Sequence, residues 1–337
     1  MFLRYCKALV AAVVVAMALG GAAHAKTLKI QSLWSAGSEN FEVFKRFAEN
    51  VGKASGGELT IEPMPVKSVV AHNETLEAVS AGILDGQHTA LSYFSGRDAA
   101  FGLLGDLNTA YETPYQMQQW FYARGGLEIA RELYKQHGLY FIGPVWWGVE
   151  SIPVSKKVAT VEQFEGVKLR MPEGPANDIF HKIGAAPVNI PGSEVFTSLE
   201  RGVIDGTDWG TLSMNQDLGY HKIAQYPIYP GIHSMPTADV AINLDTWNSL
   251  SDEHKALLEM AVFAFSNDMI MTMKVKDMAA RQKAQADGAE LVDWSAEERK
   301  KLRAIAAGVW KEYSERSPMA KKVYDSQIAW LKELGAL

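Results

Sequence analysis

The stretch from Gly166 to Trp209 constrains the fold more than any other part of the chain. It runs GVKLRMPEGPANDIF, then HKIGAAPVNIPGSEVF, then TSLERGVIDGTDW. Val167 to Met171 has the character of a short strand, ended by Pro172. Pro175 to Ile183 is a helix with Ile179, Phe180 and Ile183 on its apolar face. Ala186 to Ile190 is extended again, and Pro191-Gly192-Ser193 turns the chain into a second helix over Glu194–Arg201. Gly202 ends that helix, and Val203-Ile204 opens a third strand leading to Asp208 and Trp209. Alternating strands and helices make an α/β layer, which presents ligands to the carboxyl ends of its strands. Two charged residues stand at such ends, Arg170 and Asp208. A guanidinium in that place can grip a carboxylate with two parallel hydrogen bonds, which Lys cannot imitate. Asp208 reads equally well as a cap for the segment that follows, and Trp209 as core.

A chain of 337 residues is long enough for two lobes with separate cores. An internal echo points the same way. Ala78 to Gly86 repeats the pattern of Ser198 to Gly206 at an offset of 120 residues, helix end, Gly, two apolar residues, Asp-Gly. The expectation is a two-lobed α/β protein. Lobe I is assigned to 26–147, with 210–232 returning to it. Lobe II is assigned to 148–209, with 233–290 returning to it, and helices over 291–337 close the chain. Strands are expected at Thr27–Ser32, Leu59–Ile61, His88–Phe94, Leu139–Val145 and Ala238–Leu244, and a helix over Asp217–Ala224. From Ser251 to Asp287 there is neither Gly nor Pro, with Ser251 placed as an N-cap, so one long helix is expected there.

Met1 to Ala25 reads as a secretory signal. Arg4 and Lys7 form its charged start, Ala8–Leu19 its apolar centre, and Ala23-His24-Ala25 a small-residue cleavage site. The single cysteine, Cys6, lies inside it, so a mature chain would carry no thiol and no disulfide. The formal net charge is −6, and removing Arg4 and Lys7 makes it more negative. No basic stripe interleaved with aromatics suggests nucleic acid. The chain has no G-x-S-x-G elbow, no H-E-x-x-H pair, no G-x-G-x-x-G and no P-loop, which leaves little room for a hydrolase, a zinc protease or a nucleotide enzyme. A metal-dependent lyase is the enzyme class left open.

K-L-R-M-P followed by S-L-E-R-G-V-I-D-G-T-D-W resembles the periplasmic substrate-binding subunits of TRAP transporters, and within them the branch that binds 2-oxo acids and other small monocarboxylates with a metal ion. The resemblance spans essentially the whole chain after the signal. It implies a two-lobed periplasmic-binding-protein fold of type II-like form with a long lobe-spanning helix, no catalytic activity, and delivery of a solute to membrane permease subunits from the periplasm. It also implies that Arg170 grips the ligand carboxylate, and that the Asp208 side chain and the Trp209 carbonyl bind a cation. Where such relatives commonly have Gln after the first crossing strand, this chain has Glu150, and where they often read H-E-P-G it has His233-Ser234-Met235-Pro236. Two carboxylates and a ligand carboxylate carry three negative charges, which Arg170 and Na⁺ leave one short of neutral and Ca²⁺ balances. Glu150 is therefore read as a metal ligand favouring Ca²⁺ over Na⁺, or else as a group that hydrogen-bonds the ligand. Trp34, Tyr93, Trp146, Trp147, His72, Asn73 and Asn189 are candidates for the pocket wall. The ligand could be a 2-oxo or 2-hydroxy monocarboxylate such as pyruvate or lactate, or, given the two departures, a dicarboxylate, sugar acid or polyol. Met269, Met271, Met273 and Met278 beside Ile270 and Val275 give the long helix more apolar surface than one face needs, so a homodimer through the carboxy-terminal helices is also expected.

Overall fold

The computed structural model describes residues 25–172, 174–188, 190 and 194–337. The signal assigned to Met1–Ala25 falls almost wholly outside them, as does Asn189. In chain order the elements are β1 Lys26–Ser32, α1 Glu39–Ala54, β2 Leu59–Met64, α2 Thr75–Ser80, β3 Gly86–His88, α3 Ala99–Gly105, α4 Pro114–Ala123, α5 Gly126–Lys135 and β4 Leu139–Trp146. There follow β5 Lys168–Arg170, α6 Pro175–Lys182, β6 Ala186–Val188, α7 Val195–Glu200, β7 Gly206–Thr207, α8 Leu212–Asp217 and β8 Thr237–Asn243. The chain ends in helices: α9 Leu244–Asn248, α10 Asp252–Ala286, α11 Ala296–Ser314 and α12 Pro318–Glu333.

The strands form two sheets, one per lobe, ordered β2-β1-β3-β8-β4 and β6-β5-β7. The echo seen in the sequence is a repeated piece of structure. At the end of α2, Gly82 has φ +72° and Ile83 N–H bonds Ala78 O; at the end of α7, Gly202 has φ +67° and Val203 N–H bonds Ser198 O. Both are helix ends closed by a left-handed glycine, which lets orphan carbonyls find donors. The next residues repeat too. Asp85 accepts from Lys29 N at 2.9 Å, and Asp205 accepts from Lys168 N at 2.9 Å, so each acid ties the start of its strand to the neighbouring parallel strand. β3 pairs with β1, and β7 with β5, both in parallel.

The returns between lobes run opposite to the expectation. Residues 237–243, assigned to lobe II, are β8 and lie antiparallel between β3 and β4 in the lobe I sheet. Residues 220–228, assigned to lobe I, pack on lobe II, with Tyr220 and Ala224 in a core with Val195, Leu199 and Ile204, and with Ile228 bridged to Ile152. β8 is buried on both faces along most of its length, with Ala238, Val240 and Ile242 on one face and Thr237, Asp239 and Ala241 on the other, so it takes an interior place in the larger sheet. Two shorter expectations also change. The strand expected over His88–Phe94 stops at His88, because Thr89 N–H is taken by the Asp239 carboxylate at 2.7 Å, and Leu91–Phe94 is a 3₁₀ turn. The helix expected over Asp217–Ala224 does not form: α8 lies ahead of it and stops at Asp217, and past the left-handed Gly219 there is a 3₁₀ turn over Tyr220–Lys222.

Helix α10 is unbroken for 35 residues, about 50 Å. Leu258, Val262, Phe265, Met269 and Met273 bury one side of it in the lobe I core against α1 and β4, which accounts for much of its apolar character. Further along, Asp277 holds the start of α8 through Ser213 N and Oγ at 2.8 and 2.7 Å. Met260, Phe263, Met271, Val275 and Met278 stay exposed. Helix α11 touches both α3 of lobe I and α6 of lobe II.

Candidate functional site

The site lies where the lobes are joined. β5 ends in Arg170 and β7 runs on into Asp208, whose N–H bonds Arg170 O at 2.8 Å, so the two residues sit side by side at adjacent strand ends. Beside them run two crossing segments. One leaves β4 and carries Trp147 and Glu150; the other enters β8 and carries His233 and Ser234, with Glu150 N–H bonded to Ser234 O at 2.9 Å. They approach so closely that a Cβ on Gly231 would stand 1.9 Å from Glu150 O. Arg299 of α11 ties the second segment down from outside, donating to Gly231 O and Pro230 O at 2.7 and 3.0 Å.

Arg170 is held but not used up. Nε donates to Ile190 O at 3.2 Å and Nη1 to Asp208 O at 2.7 Å, and the guanidinium lies 5.1 Å from the centre of the Trp209 ring. Among the described residues these take two of its five N–H groups; the other three are on the two Nη atoms, the edge suited to a two-point grip on a carboxylate. Trp209 therefore orients the arginine. His72 and Tyr93 face the site from lobe I, their rings 4.4 Å apart. Burial lowers the His72 imidazole, with the charges of Lys67 and Arg170 adding to the effect. Tyr93 is within electrostatic reach of Arg170, Glu150 and Asp208.

Glu150, Asp208 and His233 come together in the described structure, each offering one ligand atom within 4.8 Å of the others, and all three are buried. His233 Nε2 lies 3.0 Å from Asp208 Oδ1. Burial acts to raise the Asp208 carboxyl, but His233 and Arg170 together hold it below its ordinary value. Glu150 goes the other way. Burial and then the negative charge of Asp208 push it well above the carboxylate range, against the hydrogen bonds from Trp147 and Ser234. A cation among these atoms would relieve that repulsion, and carboxylate oxygens are what a hard cation takes. The residues fit such an ion.

Trp34, Trp146 and Trp147 have other duties than lining an open pocket. Trp147 Nε1 donates to Glu150 Oε1 at 3.1 Å and meets Trp34 edge-on at 4.9 Å. Trp34 Nε1 in turn donates to His88 Nε2 at 3.2 Å. Burial holds His88 down, to about 4, so it stays neutral and can accept that bond. Trp146 is fully buried and donates to Thr237 Oγ1. His233, Ser234 and Asp106 complete the site, and sequence reasoning gave none of them a role. The nearest signals were the His233-Ser234-Met235-Pro236 departure, which names two of them, and, for Asp106, a lone acid in the apolar run FGLLGDL.

Ser234 Oγ lies 2.6 Å from Asp106 Oδ2 and 2.9 Å from Glu150 Oε2. One hydroxyl proton can serve only one of them, so the second contact is a hydrogen bond only when that carboxyl carries a proton. Burial pushes Asp106 up to about 7, and likewise Asp239 in the lobe I core. The sign of the consequence is fixed. Carboxyls raised on folding bind protons more tightly folded than unfolded, so their contribution is full below the ordinary carboxylate range and is lost as pH rises through about 7. Asp208, held low, contributes with the opposite sign, above its ordinary range. The chelator-treated, ligand-free protein is therefore expected to melt at lower temperature at pH 8 than at pH 5. A melting temperature that rises over that interval would contradict the burial of these groups.

A cavity of about 450 Å³ lies behind the second crossing segment, lined in part by Asp106, Thr109, His233, Ser234, Arg299 and Arg303. Arg170, Asp208, Trp209, Tyr93 and His72 do not line it, so it is separate from the face on which the arginine opens.

Comparison with known proteins agrees with this architecture. The family model for bacterial extracellular solute-binding proteins, family 7, matches residues 30–316. A TRAP periplasmic solute-binding protein from Rhodobacter sphaeroides, solved in an apo open state, is similar with 42% identity and a TM-score of 0.81, over 92% of this chain and 99% of that one. A TRAP solute-binding protein from Pseudoalteromonas atlantica with bound sodium and pyruvate is 25% identical with a TM-score of 0.79, over 92% and 95% of the two chains. A monocarboxylate 2-oxoacid-binding periplasmic protein of a Nostoc species is 26% identical over 310 residues, 91% of this chain and 85% of the relative. These are binding proteins of transporters rather than enzymes. The chain belongs to family 7 of the bacterial extracellular solute-binding proteins, the periplasmic solute-binding subunits of TRAP transporters.

Proposed function

We propose that the protein captures a small 2-oxo or 2-hydroxy monocarboxylate, of the size of pyruvate or lactate, and hands it to membrane permease subunits. The observation that carries this is the unspent Nη edge of Arg170 beside the buried Glu150–Asp208–His233 cluster. In this reading Arg170 takes the carboxylate. Asp208, Glu150 and the Trp209 carbonyl hold a cation, and Tyr93 and His72 close from lobe I. A bound cation would supply the positive charge that a 2-oxo or 2-hydroxy oxygen needs beside two carboxylates. The charge balance favours Ca²⁺ over Na⁺, although the pyruvate-bound relative from Pseudoalteromonas holds sodium. Export with cleavage after Ala25 belongs to the same reading, and is supported by β1 starting at Lys26.

A second reading in the same transporter class is favoured by the polar wall of Ser234, His233 and Glu150, which suits a hydroxyl-rich sugar acid, a polyol or a dicarboxylate. One experiment separates them: melting of the mature protein against a panel of acids, with calcium and after chelation. A ligand present well above its Kd raises stability by mass action. A large shift with a 2-oxo or 2-hydroxy monocarboxylate, abolished by chelator, is the expected result. A shift that ignores the chelator would remove the cation and leave Glu150 reading the ligand. A shift only with sugar acids, polyols or dicarboxylates would replace the first reading with the second.

A further inference from the structure

We propose that Asp106 is a positioning residue of the cation site, acting through Ser234 to fix the carboxylate of Glu150. The inference rests on the cation reading above. Glu150 is 4% exposed, and its two oxygens are held in different ways. Oε1 receives Trp147 Nε1 at 3.1 Å, and Trp147 is itself braced by Trp34 and His88, a set of rigid rings. Oε2 meets Ser234 Oγ at 2.9 Å, and the carboxyl also faces Asp208. A serine hydroxyl is a free rotor, so it fixes nothing until something fixes it.

Asp106 does that. Its Oδ2 lies 2.6 Å from Ser234 Oγ and is anchored by Asn108 Nδ2 at 2.7 Å, while Oδ1 faces Met235 N at 3.4 Å. The aspartate sits at the end of α3, buried, and is not among the residues whose atoms could reach the ion. Its contact with Glu150 runs through Ser234. Such outer partners hold a ligating carboxylate in the orientation the ion needs, and losing one typically costs 10–100-fold in metal affinity.

The test is calorimetric titration of the mature protein with calcium chloride, for the parent, Asp106→Ala, Ser234→Ala, the double variant and Asp106→Asn. Asp106→Ala and Ser234→Ala are each expected to weaken calcium binding by about 10–100-fold, and the double variant by no more than either alone. Asp106→Asn keeps an oxygen and an N–H to meet Ser234 whichever way the hydroxyl points, so it should return to within a few-fold of the parent. A purely structural role for Asp106 would lower the melting temperature without this pattern. Parental calcium affinity in Ser234→Ala, multiplied effects in the double variant, or Asp106→Asn binding as weakly as Asp106→Ala would each overturn the inference. Should Asp106→Ala fail to fold, Ser234→Ala and Asp106→Asn decide it. A parent that binds no calcium would sink the Ca²⁺ reading and this inference with it. A parent that binds normally beside an unaffected Ser234→Ala sinks only the role of Asp106.

Discussion

Replacing Arg170 by Ala is expected to weaken binding of the carboxylate by roughly 2–5 kcal/mol, because truncation leaves a ligand charge desolvated without its partner. That corresponds to a loss of about 30-fold to several thousand-fold in affinity. The size of the effect follows from preorganisation. Ile190 O, Asp208 O and the Trp209 face already hold the guanidinium, so little side-chain freedom is lost when ligand arrives. Arg170→Lys keeps the charge but not the planar fork, and should fall between the two. Titration calorimetry with the acid identified by melting reads all three proteins. An Arg170→Ala protein that binds that acid as the parent does would remove the arginine from the site.

The largest stability effect is expected far from the ligand, at Asp239 in β8. Its carboxylate is fully buried and accepts from Gln87 Nε2, from Thr89 N at 2.7 Å and from Tyr134 OH at 2.7 Å. Burial raises this carboxyl to about 7 even against those donors, so the group is costly to keep and costly to lose. Asp239→Ala leaves three buried donors facing a void, at roughly 1–3 kcal/mol each, and should destabilise the protein by about 3–9 kcal/mol. Asp239→Asn restores one oxygen and should cost less. Denaturant unfolding measures both, with the midpoint moving and the slope unchanged. A loss below about 1 kcal/mol for Asp239→Ala would show that the three donors find other partners. The same carboxylate ended the strand expected over His88–Phe94, because a side-chain acceptor took the Thr89 donor from the ladder.

Much of the site's frame was legible because it is local. Arg170 and Asp208 stand at the ends of β5 and β7, as alternation of short strands and helices between Gly166 and Trp209 requires. Gly82 and Gly202, each followed by two apolar residues and Asp-Gly, announced two matching helix ends, and the structure closes both with the same hydrogen bonds. The absence of Gly and Pro after Ser251 was enough for α10, since a helix needs only its own backbone and a buried face. Periodicity, capping and turn chemistry act within a few residues, so one chain shows them.

Other decisions belong to the tertiary structure. Alternating strands do not say which sheet a late strand joins, and β8 joined the lobe I sheet, where it pairs with β3 and β4 and is covered on both faces. Trp34 and Trp147 could be named as aromatic, but whether an indole N–H meets a ligand, His88 or Glu150 depends on how two lobes pack. Ser234 is 128 residues from Asp106 and 84 from Glu150, and nothing in either neighbourhood announces the contact. Local patterns alone were enough for the two-lobed α/β plan and for the arginine and aspartate at adjacent strand ends. The crossing segments, brought together by burial and clamped by Arg299, decided which acids, hydroxyl and imidazole share the space between them, because such contacts depend on long-range packing that no local pattern encodes.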